Sequence, residues 1–171
     1  MRFLVITASK HGSTAEIGEA VAATLRGCGR DAVHHLVEDV TTIPPAVDPA
    51  DFDVIVLGSA VYTGQWLPAA NQWLQDNADL LSRRQVWLFS SGLAGQPAAD
   101  ANSPARTQSV MRSIGALGHR HFPGRLDMSV LSLAERAIIA AARGRQGDHR
   151  DFEQVAQWAE QISTQVAAPV A

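Results

Sequence analysis

Along this chain two hydrophobic rhythms take turns. Short apolar runs alternate with longer stretches in which apolar residues recur every three or four positions. The first run, Arg2-Phe3-Leu4-Val5-Ile6, predicts a strand over about 2–7. A helix follows over about 14–26, with Ile17, Ala20, Val21 and Leu25 on one face. Ser13 and Glu16 have the S-x-x-E spacing of a capping box at its start, and Gly27 and Gly29 close it. A second strand over about 31–37 precedes a loop containing Pro44, Pro45 and Pro49. The third strand, Asp53-Val54-Ile55-Val56-Leu57-Gly58, is apolar almost throughout, which indicates burial on both faces and hence a parallel sheet covered by helices.

The alternation continues. A helix starts near Leu67, with Pro68 in its first turn and Ala70, Trp73, Leu74 and Leu81 turned inward. Gln85 to Ser90 is the fourth strand, and a loop from Ser91 to Ser103 leads to a helix over about 104–117. The fifth strand is expected over about 119–126, and the last helix, over about 149–166, buries Phe152, Val155, Ala159 and Ile162. Between them an extra segment, about 127–147, carries a second capping-box pair, Ser132 and Glu135, and reads as a short inserted helix. Five such βα units make an α/β doubly wound parallel sheet, with ligands outside the carboxyl ends of the strands. At 171 residues, 1–171 is expected to be a single domain.

Composition narrows the function classes. Hydrophobic residues at 46% and charged residues at 18% exclude a disordered chain, and a formal net charge of −3 gives nucleic-acid binding no electrostatic support. Cys28 is the lone cysteine, which excludes an internal disulfide and fits a reducing compartment. No secretory signal is read at the start, and no apolar run approaches the ~20 residues that span a bilayer, so a cytoplasmic protein is expected.

The chemistry concentrates where the first strand meets its helix, at Thr7-Ala8-Ser9-Lys10-His11-Gly12-Ser13-Thr14. Backbone N–H groups at a helix start are unpaired and attract anions. Ser9, Ser13 and Thr14 add hydroxyls, and Gly12 permits close approach of the backbone. The spacing is neither that of a triphosphate-binding loop nor G-x-G-x-x-G, so a phosphate monoester is the expected ligand. Two further loops converge with it at the topological switch point. One is Gly58-Ser59-Ala60-Val61-Tyr62-Thr63-Gly64-Gln65-Trp66 and the other Ser90-Ser91-Gly92-Leu93-Ala94-Gly95. Small residues there leave a slot, and Tyr62 and Trp66 offer flat faces, so the pocket suits a planar ring with a phosphate tail.

Ser9, Gly12 and Thr14 stand where the phosphate loop T/S-x-x-G-x-T requires them, and the chain resembles the flavodoxin-like family over essentially its whole length. Gly58 to Tyr62, the inserted helix and Gly147 to Phe152 resemble the subgroup that contains menaquinone-dependent protoporphyrinogen oxidase. The resemblance implies a flavodoxin-like doubly wound five-stranded sheet of order 2-1-3-4-5, an inserted helix after strand five, and FMN as cofactor. It places the phosphate on Ser9, Lys10, His11, Gly12, Ser13 and Thr14. The ring falls to Ser59, Ala60, Val61, Tyr62, Thr63 and Gly64, with Ser91, Gly92 and Leu93 at its other edge. Backbone groups would tune the flavin, and no side chain stands out as a catalytic acid or base.

The function implied is an FMN-dependent oxidoreductase passing electrons to a quinone, a porphyrin-type molecule or a redox partner protein. The alternative is a small electron carrier with no substrate of its own. A net charge of −3 is weakly acidic for such a carrier. A signalling receiver domain is excluded, because its acids are absent after the first strand and at the end of the third. The inserted helix is read as packing on the sheet or joining a homodimer, with peripheral membrane contact as its other use. Gly27-Cys28-Gly29-Arg30-Asp31-Ala32 matches G-x-G-x-x-A but follows a helix and precedes a strand, the reverse of dinucleotide binding. His34, His35, His119 and His121 have no carboxylate or Cys at ligand spacing and are read as surface or packed residues, with no metal expected. Trp73 and Trp87 are assigned to the core.

Overall fold

A computed structural model describes residues 1–37, 47–62, 64–92, 105–141 and 146–166. In chain order they form β1 (Arg2–Ala8), α1 (Ser13–Gly27), β2 (Asp31–Val37), β3 (Val54–Tyr62), β4 (Gln65–Trp66), α2 (Pro68–Asp76) and α3 (Ala78–Leu81). There follow β5 (Gln85–Gly92), α4 (Ala105–Ile114), β6 (Gly118–Pro123), β7 (Arg125–Leu126), α5 (Leu133–Ala141), β8 (Gly147–Asp148) and α6 (Phe152–Gln165). Five parallel strands run β2-β1-β3-β5-β6, and the short β4 folds back antiparallel on the end of β3. Setting β4 aside, this is the order 2-1-3-4-5 that the sequence predicts.

Strand alternation splits the core in two. Phe3, Val5, Val54 and Val56 face α1 and α6. Leu4, Ile6, Ile55 and Leu57 face α2 and α4. Every side chain from Val54 to Leu57 is fully buried, which is why β3 reads as an unbroken apolar run. Burial of each such side chain contributes roughly 1.5–3 kcal/mol. Phe89, Phe122 and Trp158 close the α6 side edge to face, with centroids 5.5 to 5.9 Å apart. Gly58 leaves room for the Phe89 ring, since a Cβ there would lie 2.0 Å from its Cζ.

Several expectations are corrected. Ser13 does not cap α1. Gly12 is the N-cap, in the left-handed conformation at φ 80°, and makes no side-chain cap. The Ser13 hydroxyl instead accepts from the Arg125 amide at 2.9 Å, and Glu16 turns outward to Arg150 and Arg125. Long-range partners thus displace the local box. The helix expected from Leu67 to Leu81 breaks at Asn77, whose side-chain amide donates to the Trp73 carbonyl at 2.8 Å. The expected fifth strand divides at Gly124: β6 stays in the sheet, and β7 leaves it to pair with β8.

At α6, Asp151 caps the helix by accepting from the Gln154 amide at 3.0 Å, so it starts later than the pattern predicts. Phe152 is 42% exposed, under the Arg150 guanidinium, and Trp158 takes the core place assigned to it. Trp73 and Trp87 are buried as expected. Pro44 and Pro45 lie outside the described residues, and Pro49 opens a 3-10 turn.

Candidate functional site

The carboxyl ends of β1, β3 and β5 lie side by side, and the turns beyond them share one cleft. Ser9, Lys10, His11, Ser13 and Thr14 line it from the first turn. Ala60, Val61 and Tyr62 line it from β3, and Ser91 and Gly92 from β5. Ten of the sequence-predicted site residues therefore meet in one place. Gly12 does not line the cleft and supplies the left-handed link from the β1 turn into α1. Ser59 is fully buried; its hydroxyl accepts from the Leu67 amide at 3.0 Å and donates to the Ala60 carbonyl at 2.9 Å, so it braces the ring loop from inside. Gly64 is exposed in the β3–β4 turn at φ 74°. Thr63 and Leu93 lie outside the described residues.

The fourth wall is absent from the sequence-predicted site. It comes from the segment after β6: Gly124, Arg125, Leu126 and Asp127, then Val130 and Leu131, then Glu135, Ile138 and Ile139 of α5. The sequence marks α5 through its capping box, and the structure confirms that box: the Ser132 amide donates to Glu135 Oε2 at 2.8 Å and the Glu135 amide to the Ser132 hydroxyl at 3.3 Å. Nothing local, however, signals that this helix faces the first turn. Together the walls enclose about 1040 Å³, the open mouth included.

Charge in the cleft is paired. Glu135 Oε1 lies 2.8 Å from Lys10 Nζ and 3.0 Å from His11 Nε2. Lys10, the Ser132 amide and His11 hold the Glu135 carboxyl far below the usual carboxylate range. Glu16, in the first turn of α1, is matched by Arg150 at 2.6 Å and Arg125 at 3.3 Å, so its negative charge does not stand unopposed beside the turn. Arg150 also grips Asp148 at 2.6 Å, which lowers that carboxyl to about 2.

Tyr62 presents its ring between Lys10 Nζ, 6.0 Å from the centroid, and the His11 ring, edge-on at 6.4 Å. Burial first, and the Glu135 charge second, push its phenol up to about 12, so it keeps its proton at neutral pH. Trp66 is not part of the wall. It is 3% exposed, packed in the α2-side core. His119 and His121 sit on the same face of β6, and among the described residues no cluster of His, Cys, Asp or Glu could hold a metal. Among the described residues, too, no helix is long and apolar enough to cross a membrane.

A doubly wound parallel sheet with a hydroxyl-lined turn and a flat slot at its switch point defines a mononucleotide-binding α/β domain. The family model for the flavodoxin domain matches residues 4–153, and the chain belongs to that family. Solved structures agree on the fold. A Streptococcus pneumonia TIGR4 flavodoxin superposes with a TM-score of 0.64 at 19% identity, covering 97% of this chain and 100% of the other. Oxidised flavodoxin 2 from Bacillus cereus gives 0.64 at 17% identity, with 97% and 100% covered. Rubredoxin oxygen:oxidoreductase from Desulfovibrio gigas gives 0.58 at 12% identity, covering 95% of this chain and 35% of that one. No curated protein matches the chain.

The family is FMN-binding, and FMN is the cofactor of this chain. The residues present fit it. Hydroxyls of Ser9, Ser13 and Thr14 border the start of a fifteen-residue helix, an arrangement suited to a phosphate monoester. Small Ala60, Ser91 and Gly92 with the flat Tyr62 suit a planar ring.

Proposed function

We propose that this chain anchors the FMN phosphate in the Ser9–Thr14 turn and passes electrons through the ring to a small apolar acceptor of the quinone class. The observation that carries this reading is the wall from the insertion. Leu126, Val130, Leu131, Ile138 and Ile139 face the ring loops across the same cleft and make an apolar compartment beside them. Such a compartment favours a flat apolar molecule over a docked protein surface, which would need the ring edge bare.

FMN supplies reversible electron transfer that no side chain of this protein provides. The chain's own groups do the rest. The first-turn amides of α1 and the hydroxyls of Ser9 and Thr14 hold the phosphate. Backbone of Ala60–Val61 and Ser91–Gly92 borders the ring and tunes its potential. Tyr62 covers the cleft as a neutral phenol. The exposed lone Cys28 supports a cytoplasmic location.

The test is to reduce the FMN-loaded protein anaerobically and mix it with a short-chain water-soluble quinone. Saturable reoxidation, much faster than that of free FMN at equal concentration, is expected. Reoxidation no faster than free FMN, together with rapid exchange to a protein acceptor, would replace this reading by the small electron carrier.

A further inference from the structure

The Lys10 and His11 side chains do not pair within their own turn. They reach across the cleft to one carboxylate 124 residues away from His11. Lys10 Nζ and His11 Nε2 share Glu135 Oε1, while Oε2 of the same group caps α5 through the Ser132 amide. The carboxylate thus joins two elements: it starts α5 and fastens it to the turn. The Glu135 side chain is 15% exposed, well shielded from solvent, whereas Lys10 is 54% exposed.

Among the described residues, the insertion has little else to hold it there. Its apolar contacts are a small cluster of Leu126, Leu131 and Ile139 with Met128, separate from the two cores of the sheet. Leu133 is 83% exposed and Ile138 50%. Elements with so little burial open more readily than the core, so a few polar ties decide where they sit. Other ties, the Arg125 amide to Ser13 and the Arg125 and Arg150 guanidinium groups to Glu16, hold the β7–β8 end. On the α5 side, the tie to the first turn among the described residues is Glu135.

We infer that Glu135 is a positioning residue that latches α5 over the FMN cleft through Lys10 and His11, and that these two side chains serve the latch rather than the phosphate. The inference rests on the FMN site proposed above. It assigns the phosphate to the amides and hydroxyls of the turn, and gives the insertion control over how fast the cofactor leaves.

Two variants separate the latch from direct phosphate binding. Lys10→Met leaves the α5 cap intact and removes one tie. Glu135→Gln retains one carbonyl oxygen, which can serve the cap or the turn but not both. FMN release is followed by the recovery of its fluorescence, and amide hydrogen exchange over 125–141 is measured without FMN. Each single variant is expected to raise the release rate roughly 1.5- to fivefold, the scale of one partly exposed ion pair. The double variant should be no faster than the faster single, and exchange over 125–141 should rise in Glu135→Gln with β1 and α1 unchanged. Tighter FMN binding in Glu135→Gln would mean that a freed Lys10 goes to the phosphate, and would overturn the latch. So would unchanged exchange over 125–141. Were the wild-type protein to bind no FMN, the proposed function would fall, and the exchange comparison alone would decide the latch.

Discussion

The indole Nε1 of Trp66 donates to the hydroxyl of Ser90 at 2.7 Å, across the gap between β4 and β5. The same hydroxyl lies 2.8 Å from His119 Nε2. One buried oxygen therefore joins the β3–β4 hairpin, β5 and β6 just beneath the ring loops. Trp66→Phe removes one hydrogen bond and part of a buried ring. A loss of about 1–3 kcal/mol is expected in urea unfolding. FMN affinity should stay within about twofold, because Trp66 faces the core and not the cleft, and less than 1 kcal/mol is then at stake.

Thr14 is 2% exposed, yet borders the cleft at the first turn of α1. Thr14→Val keeps the shape and deletes the hydroxyl. Loss of a hydrogen bond to a charged phosphate costs about 1.5–3 kcal/mol, so FMN should bind roughly ten- to a hundredfold more weakly by fluorescence titration. Riboflavin, which has no phosphate, should bind wild type and variant alike.

Gly18 lies where α1 crosses β1 and β2. A Cβ there would meet Thr7 Cγ2 at 2.4 Å and His34 Nε2 at 2.7 Å. Thr7 and His34 are hydrogen-bonded to each other at 2.8 Å, so neither is free to move aside. Gly18→Ala, otherwise favourable in a helix, is expected to destabilise the fold by about 1–3 kcal/mol in the same urea assay.

Burial depresses the proton affinity of three histidines. His119 falls to about 4, mainly by desolvation and then by the His121 charge, and His121 falls by desolvation. At His34 desolvation outweighs the pull of Glu19. Each folded value lies below its unfolded one, so below the ordinary histidine range the unfolded chain takes up more protons. Stability should therefore be full above about pH 7 and fall as pH drops through the window from about 6.5 toward 4, by roughly 1.4 kcal/mol per unit of each shift. Urea midpoints across that window check the sign. Replacing His119 with Gln should flatten the slope.

The sheet was legible because its signal is local. Each buried strand carries its apolar run, and Pro68, Gly29 and the Ser132–Glu135 pair mark helix ends within a few residues. The three loops of the site were legible for the same reason: the switch point follows from strand order. What escaped was set at long range. Ser13 and Glu16 have capping-box spacing, but Arg125 and Arg150, more than a hundred positions on, claim them. Phe152 and Trp158 both lie in an amphipathic helix, and only the packing against Phe89 and Phe122 decides which one is core. The fourth wall escaped because no spacing rule links Glu135 to Lys10.

The central claim is that the Ser9–Thr14 turn anchors a flavin by its phosphate. The most direct test is titration of the flavin-free protein with FMN, FAD and riboflavin, read by fluorescence quenching. The account predicts saturable binding of one FMN per chain, with riboflavin held far more weakly. Equal affinity for FMN and riboflavin, or no binding of either, would contradict it.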